Sequence, residues 1–254
     1  MLENEILFIV EGAVDEPEII KLINDKLNIG ENLNINIYSY QTSIYELYED
    51  LVIDEYLDIV LHLRSKEEDK RQKEMLSKNF QAIYLIFDFE PQYQKFDVNR
   101  IIELNNFFNN SLEPWMLLIN YPMLESYKHI GKMPDQDFLT KTITKKEVSK
   151  YKEIVGAESF YTNHSLYHRS LMMEQIIHHL IKLNYLINNV KTMPKYADIE
   201  GLINNEGFIR SQYEAYENNA LYVVSTVYYY LIELKPKSFY DELQLPVIDE
   251  LTIT

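Results

Sequence analysis

Six consecutive apolar residues, Ala82 to Phe87, stop abruptly at Asp88-Phe89-Glu90-Pro91. A run this short, apolar at every position, reads as a strand buried on both faces, and strands of that kind belong to parallel sheets covered by helices. Leu7 to Val10 has the same character and ends at Glu11-Gly12, while Trp115 to Ile119 ends at Asn120-Tyr121-Pro122. Ile35, Ile37 and Tyr38, after Asn34, supply a further strand. Helical spacing fills the intervals. Asp15 as N-cap and Pro17 in the first turn lead into Ile19, Ile20, Leu22, Ile23 and Leu27. Thr42 or Ser43 can cap a helix through Ile44, Leu47 and Leu51, with Tyr56 to Val60 read as more helix, and Asp97 can cap one carrying Val98, Ile101, Ile102, Leu104 and Phe107. Strand and helix in alternation predict an α/β fold with an open, mostly parallel sheet flanked by helices. The mixed-charge run Arg64 to Glu74 reads as a solvated helix face or loop.

The pattern changes from about Asp137. No strand is predicted beyond it. Ser165 to Asn188 and Phe208 to Leu234 read as long helices, separated by Pro194, Gly201 and Gly207, with Pro236 and Pro246 in an irregular tail. The expected organisation is an α/β domain over residues 1–132 and a mainly helical C-terminal half over 133–254.

Composition narrows the chemistry. With 46% hydrophobic and 25% charged residues among 254, the chain is an ordinary globular one. It contains no cysteine, which removes disulfides, thiolate zinc sites, iron–sulfur clusters and a cysteine nucleophile. Lys and Arg number 24 against 40 Asp and Glu, a net charge of -16, which argues against nucleic-acid binding through bulk charge. An acidic start, a short first apolar run and no stretch near the ~20 apolar residues of a membrane span predict a cytoplasmic protein with no membrane partner.

Acids stand where strands end: Glu11 after the first, Asp88 and Glu90 after the third, and Glu125 shortly after the fourth. In an open parallel sheet the ligand crevice lies beyond the carboxyl ends of the strands. Residues two apart in an extended segment point the same way, so Asp88 and Glu90 are expected to converge, with Glu11 able to join them. Carboxylates without Cys or His partners suit a hard cation, Mg2+ or Mn2+; the alternative is that strand ends simply meet polar loops. Lys141, Lys145, Lys146, Lys150 and Lys152 form a basic stretch in which Lys145 and Lys146 either track a phosphate backbone or face solvent. His164 and His168, four apart, and His178-His179 lack an H-E-x-x-H arrangement and are read as ordinary helix histidines.

Val10-Glu11-Gly12-Ala13-Val14-Asp15-Glu16 followed by a helix resembles the first motif of Toprim domains, and Ile86-Phe87-Asp88-Phe89-Glu90 resembles their D-x-D motif. Asp15, four residues after Glu11, is similar to the E-x-x-x-D arrangement of OLD-type nucleases. Asn120-Tyr121-Pro122-Met123-Leu124-Glu125 resembles the N-P-x-F-E segment of RloB-like Toprim proteins of bacterial defence loci. The likeness covers about the first 130 residues, with Glu90 in place of the second Asp, Tyr121 inserted in N-P, and no lysine close behind. It implies a Toprim-like, Rossmann-like sheet and a Mg2+- or Mn2+-dependent nuclease cleaving DNA or RNA phosphodiesters in anti-phage defence. In that reading Asp88 and Glu90 are ligands, Glu11 a ligand or general base, Asp15 part of a second metal site, and Glu125 a ligand or an orienter of ligands. OLD-type nucleases carry or recruit an ATPase; this chain has no G-x-x-x-x-G-K-[ST] loop, so the ATPase would be a partner. The competing expectation is a catalytically degenerate Toprim module that binds or regulates within a defence complex, its Tyr-rich helical half forming an oligomer interface. A primase, a topoisomerase and a receiver- or flavodoxin-like domain fit less well.

Overall fold

The computed structural model describes residues 4–28, 33–52, 58–109 and 115–244. The first half runs β1 (Asn4–Val10), α1 (Asp15–Leu27), β2 (Leu33–Ser39), α2 (Ile44–Val52), α3 (Ile59–Lys66), α4 (Lys70–Met75), β3 (Ala82–Asp88), α5 (Val98–Asn109) and β4 (Trp115–Asn120). The second half runs β5 (Thr142–Ile143), α6 (Lys145–Val148), α7 (Tyr151–Glu158), α8 (Arg169–Asn188), α9 (Ile199–Ile203), α10 (Glu206–Glu217), β6 (Leu221–Tyr222), α11 (Tyr230–Leu234) and α12 (Pro236–Gln244).

β1 to β4 form a parallel sheet in the order β2-β1-β3-β4. Every residue of β3 is buried, as its apolar run requires. The order reverses between β1 and β3. From β1 the chain steps outward to β2, then crosses back to β3 and continues to β4. Right-handed crossovers therefore place α1 on one face and α2 and α5 on the other. The packing agrees, with α2 against α5 and α1 against α8.

The C-terminal half closes around this sheet within the same apolar core. Tyr230 of α11 lies edge-on to Phe8 of β1 at 4.8 Å and against Tyr84 of β3 at 5.6 Å. On the other side Phe208 of α10 meets Tyr121 at 5.2 Å and Tyr213 stacks on Phe96 at 5.2 Å. Beyond β4, Tyr121 and Val224 exchange backbone hydrogen bonds at 2.8 and 3.0 Å. Asn120, at the end of β4, accepts from Ser225 Oγ at 2.8 Å and Thr226 N at 3.1 Å.

Several elements differ from expectation. The helix predicted over Phe208 to Leu234 ends at Glu217, because Asn219 takes a left-handed conformation (φ 63) and Val223-Val224 are β-branched. Leu221–Tyr222 then pairs antiparallel with Thr142–Ile143, two short strands in a half expected to have none. Gln212 does the work of another strand there, donating to Tyr222 O and accepting from Tyr222 N, both at 3.1 Å. The helix expected from Ser165 begins at Arg169, where His168 caps it by accepting from Leu171 N at 3.2 Å. Pro236 opens α12 rather than an irregular tail, since the first position of a helix needs no N–H; Pro246 lies outside the described residues. So do Tyr56 and Leu57, while Asp58 caps α3 through Val60 N and Leu61 N. Asp97 accepts from Asn99 N at 2.9 Å as a cap should. Among the described residues no helix is long and apolar enough to cross a membrane.

Replacing Asn120 by Ala should leave the buried Thr226 N–H and Ser225 hydroxyl without their acceptor and cost about 1–3 kcal/mol. Urea unfolding would show it as a lower midpoint at unchanged slope; an unchanged midpoint would mean that this joint contributes nothing.

Candidate active site at the strand crossover

The crevice forms where β1 and β3 part. Glu11 is still tied to the sheet, its N–H donating to Ile86 O at 3.2 Å and its carbonyl accepting from Gln41 N at 2.9 Å. Its side chain turns back across the strand end, and Oε2 accepts the backbone N–H of Asp88 at 3.0 Å. Asp88 closes β3 and is buried, with Oδ1 lacking a hydrogen-bond partner. Phe89 points into the core and donates its N–H to Asn120 O at 2.9 Å. Glu90 does not continue the strand. It adopts a left-handed conformation (φ 34), and its N–H donates to Pro122 O at 3.1 Å. The Asp88 and Glu90 side chains thus reach one crevice through a turn, not through the alternation of an extended segment.

Residues 11–16 lead from β1 into α1. Helical spacing puts Glu16 in line with Ile19, Ile20, Ile23 and Leu27, so Glu16 is buried while Asp15 beside it is exposed. Asp15 is the first residue of the helix, not its cap. Gly12 has no left-handed φ; a Cβ there would collide with a Glu16 carboxylate oxygen and would displace that side chain from its present place in the crevice.

The opposite wall comes from the C-terminal half. Val148 to Glu153, spanning the end of α6 and the start of α7, face Glu11, Asp15, Glu16, Asp88 and Glu90 across a cavity of about 490 Å³. Lys152 Nζ pairs with Asp15 Oδ2 at 3.0 Å and with Glu125 Oε1 at 3.0 Å. Glu125 sits on the 3-10 turn Leu124–Lys128, is buried, and keeps Oε2 without a partner. Lys150 also lines the cavity. Lys145 and Lys146 do not: Lys145 pairs with Glu217 at 2.7 Å and lies over the Tyr216 ring, and Lys146 is exposed.

Burial and like charge dominate the electrostatics. Glu11 is pushed up to about 8, first by burial and then by Glu90 and Glu16, against the N–H of Asp88. Burial also raises Asp88 well above the carboxylate range, with Glu11, Glu16, Glu125 and Glu90 adding to it. Glu90 and Glu16 are raised by burial and neighbouring acids, and Lys152 opposes both shifts. The oxygen-only donors, the unpartnered Asp88 Oδ1 and this shared proton affinity fit a hard divalent cation, which would relieve the repulsion. Among the described residues no three such side chains are gathered closely enough to enclose an ion as they stand.

The structure thus brings Glu11, Asp15, Asp88 and Glu90 to one cavity and sets Glu125 behind Lys152. The sequence motifs do not mark Glu16, although its place on the Ile19-Ile20-Ile23 stripe is visible, and they show Lys152 only as part of a basic stretch. The histidines are engaged with protein partners: His164 with Tyr127 Oη at 2.8 Å, His178 with Asp135 N at 3.2 Å and His179 with Ser225 N at 3.0 Å. Comparisons with protein-family models, with curated proteins and with solved structures returned no match to this chain.

An acid that holds its proton more tightly when folded favours the folded state at low pH, and that contribution is lost as pH rises through the folded value. For Glu11 the window runs from 4.5 to about 8. Metal-free protein should lose thermal stability across it, at up to about 1.4 kcal/mol per pH unit for each such proton. Glu11→Gln should flatten the profile, and parallel profiles for the two proteins would refute the assignment. Glu90→Gly removes both a left-handed non-glycine residue and a repelling charge, so it should raise the melting temperature of the metal-free protein. A lower melting temperature would show that the two burdens together weigh less than the entropy glycine adds to the unfolded chain.

Proposed function

We propose that this chain is a Toprim-like, Mg2+- or Mn2+-dependent nuclease whose crevice hydrolyses nucleic-acid phosphodiesters. The observation that carries this reading is the meeting of Glu11 with Asp88 at the β1/β3 crossover, where Glu11 accepts the Asp88 N–H at 3.0 Å and buried Asp88 Oδ1 is left to a ligand. Open parallel sheets bind their ligands at that topological position. Asp88 and Glu90 would hold the ion, with Glu16 and Asp15 on the α1 side. A bound divalent ion supplies Lewis-acid polarisation of a phosphoryl oxygen and eases ionisation of water. The protein does the rest. Glu11, held by the Asp88 N–H beside the ion's ligands, would be placed to take a proton from an attacking water once the cation lowers its raised proton affinity. Lys150, on the facing wall, supplies positive charge for a phosphate. The acidic surface as a whole holds nucleic acid poorly, so an oligomer or a partner such as an ATPase would bring the substrate.

A second reading, a degenerate module that binds or regulates, is favoured by the Lys152 bridge, which partly neutralises the crevice without any metal. Two experiments separate them. Purified protein is incubated with plasmid DNA and with RNA, with and without Mg2+ or Mn2+. Metal-dependent cleavage that disappears in a Glu11→Ala, Asp88→Ala variant supports the nuclease; equal behaviour of variant and wild type sinks it. Thermal melting then reports occupancy, since a ligand at a hundredfold its Kd stabilises by about 2.7 kcal/mol. No shift at millimolar metal favours the binding module.

A further inference from the structure

We propose that Lys152 is a tethered cation that guards the crevice: it holds Asp15 and Glu125 in the ion-free protein and must leave them before a divalent ion engages those carboxylates. The inference rests on reading the crevice as a metal site and adds how access to it is controlled. Its first ground is the bridge itself, 3.0 Å to each acid, with one end on α1 and the other on a buried glutamate. Asp88 Oδ1 and Glu125 Oε2, both on side chains more than nine-tenths buried, remain without partners, so a single ammonium group leaves the cluster undersupplied with positive charge.

The second ground is how Lys152 is held. His129, fully buried, grips α7 by both ends: Nδ1 faces the Tyr151 hydroxyl at 3.0 Å and Nε2 faces Glu158 Oε2 at 3.1 Å. Tyr151 is the first residue of that helix and Glu158 the last. Glu158 is fixed further by Lys141 at 3.2 Å. Burial holds His129 down to about 4, so near neutrality it is uncharged, donating from Nε2 to the carboxylate and accepting the tyrosine O–H at Nδ1. The same segment carries Glu125, so the acceptor and the clamp are one piece. The backbone under Lys152 is thereby fixed, while its side chain, 61% exposed, can swing away without moving the helix. A cation held by fixed backbone and free at its tip is displaceable, and it competes with any ion for the same oxygens.

The test is a calorimetric Mn2+ titration at low salt of wild type, Lys152→Met and Lys152→Arg. Removing the competing charge should tighten Mn2+ binding about tenfold or more, while the arginine variant stays near wild type. Equal or weaker binding by Lys152→Met overturns the guard role. If none of the three proteins binds Mn2+, the metal reading itself falls, and the guard with it. A measurement on wild type needs no variant: acetylation of Lys152 by an amine-reactive reagent, followed by mass spectrometry, should increase when Mn2+ is added. Unchanged or reduced labelling, with Mn2+ shown to bind, counts against displacement.

Discussion

Reversal of strand order between β1 and β3 is the constraint on which the rest depends. Parallel neighbours deliver their carboxyl ends to the same edge, and the helices that leave them must diverge to opposite faces. The gap between those helices cannot be filled by either. It is lined by whatever residues end the two strands and begin α1, and in this chain those are acids. Burial then turns a local pattern into a chemical one. Glu11, Glu16, Asp88 and Glu90 lose much of their water, neighbouring acids raise their proton affinity further, and only a proton or a cation settles the group.

The C-terminal half supplies what the sheet lacks. Its α6–α7 segment walls the cavity and contributes the ammonium groups of Lys150 and Lys152, and its 221–230 stretch seals β4 and covers Phe8. Side chains carry much of this joint. Gln212 stands in for a strand at Tyr222, and Asn120 receives both a hydroxyl and an amide from the returning chain. Three tyrosines in a row, Tyr228 to Tyr230, are all buried there.

The sheet was legible because each of its buried strands is a short apolar run closed by a polar residue, a pattern that helices do not share. Its acids were legible for the same reason, since strand ends are fixed by the runs before them. Glu16 escapes a linear motif because Asp15 is the more obvious neighbour of Glu11, yet helical geometry turns Asp15 outward and Glu16 inward. The ordering of the helical half was harder to read. A stop at Asn219 and a two-residue strand leave almost no periodic signal, and Tyr222 to Tyr230 is apolar enough to suit helix or strand. Lys152 could not be singled out among its neighbours, because what distinguishes it is the position of Glu125, on a separate turn of the chain.

The joint at Asn120 has a consequence for the order in which the molecule can be completed. The residues that finish the sheet's last strand, Ser225 and Thr226, lie more than a hundred positions after it. During synthesis the strands emerge first, and Phe8 waits uncovered until Tyr230 follows. The α/β half alone therefore has neither the cover of Phe8 nor the partners of Asn120, and its crevice has no opposite wall until residues 148–153 arrive. The charge that is costly in the finished crevice is solvated, and so harmless, while the crevice is still open.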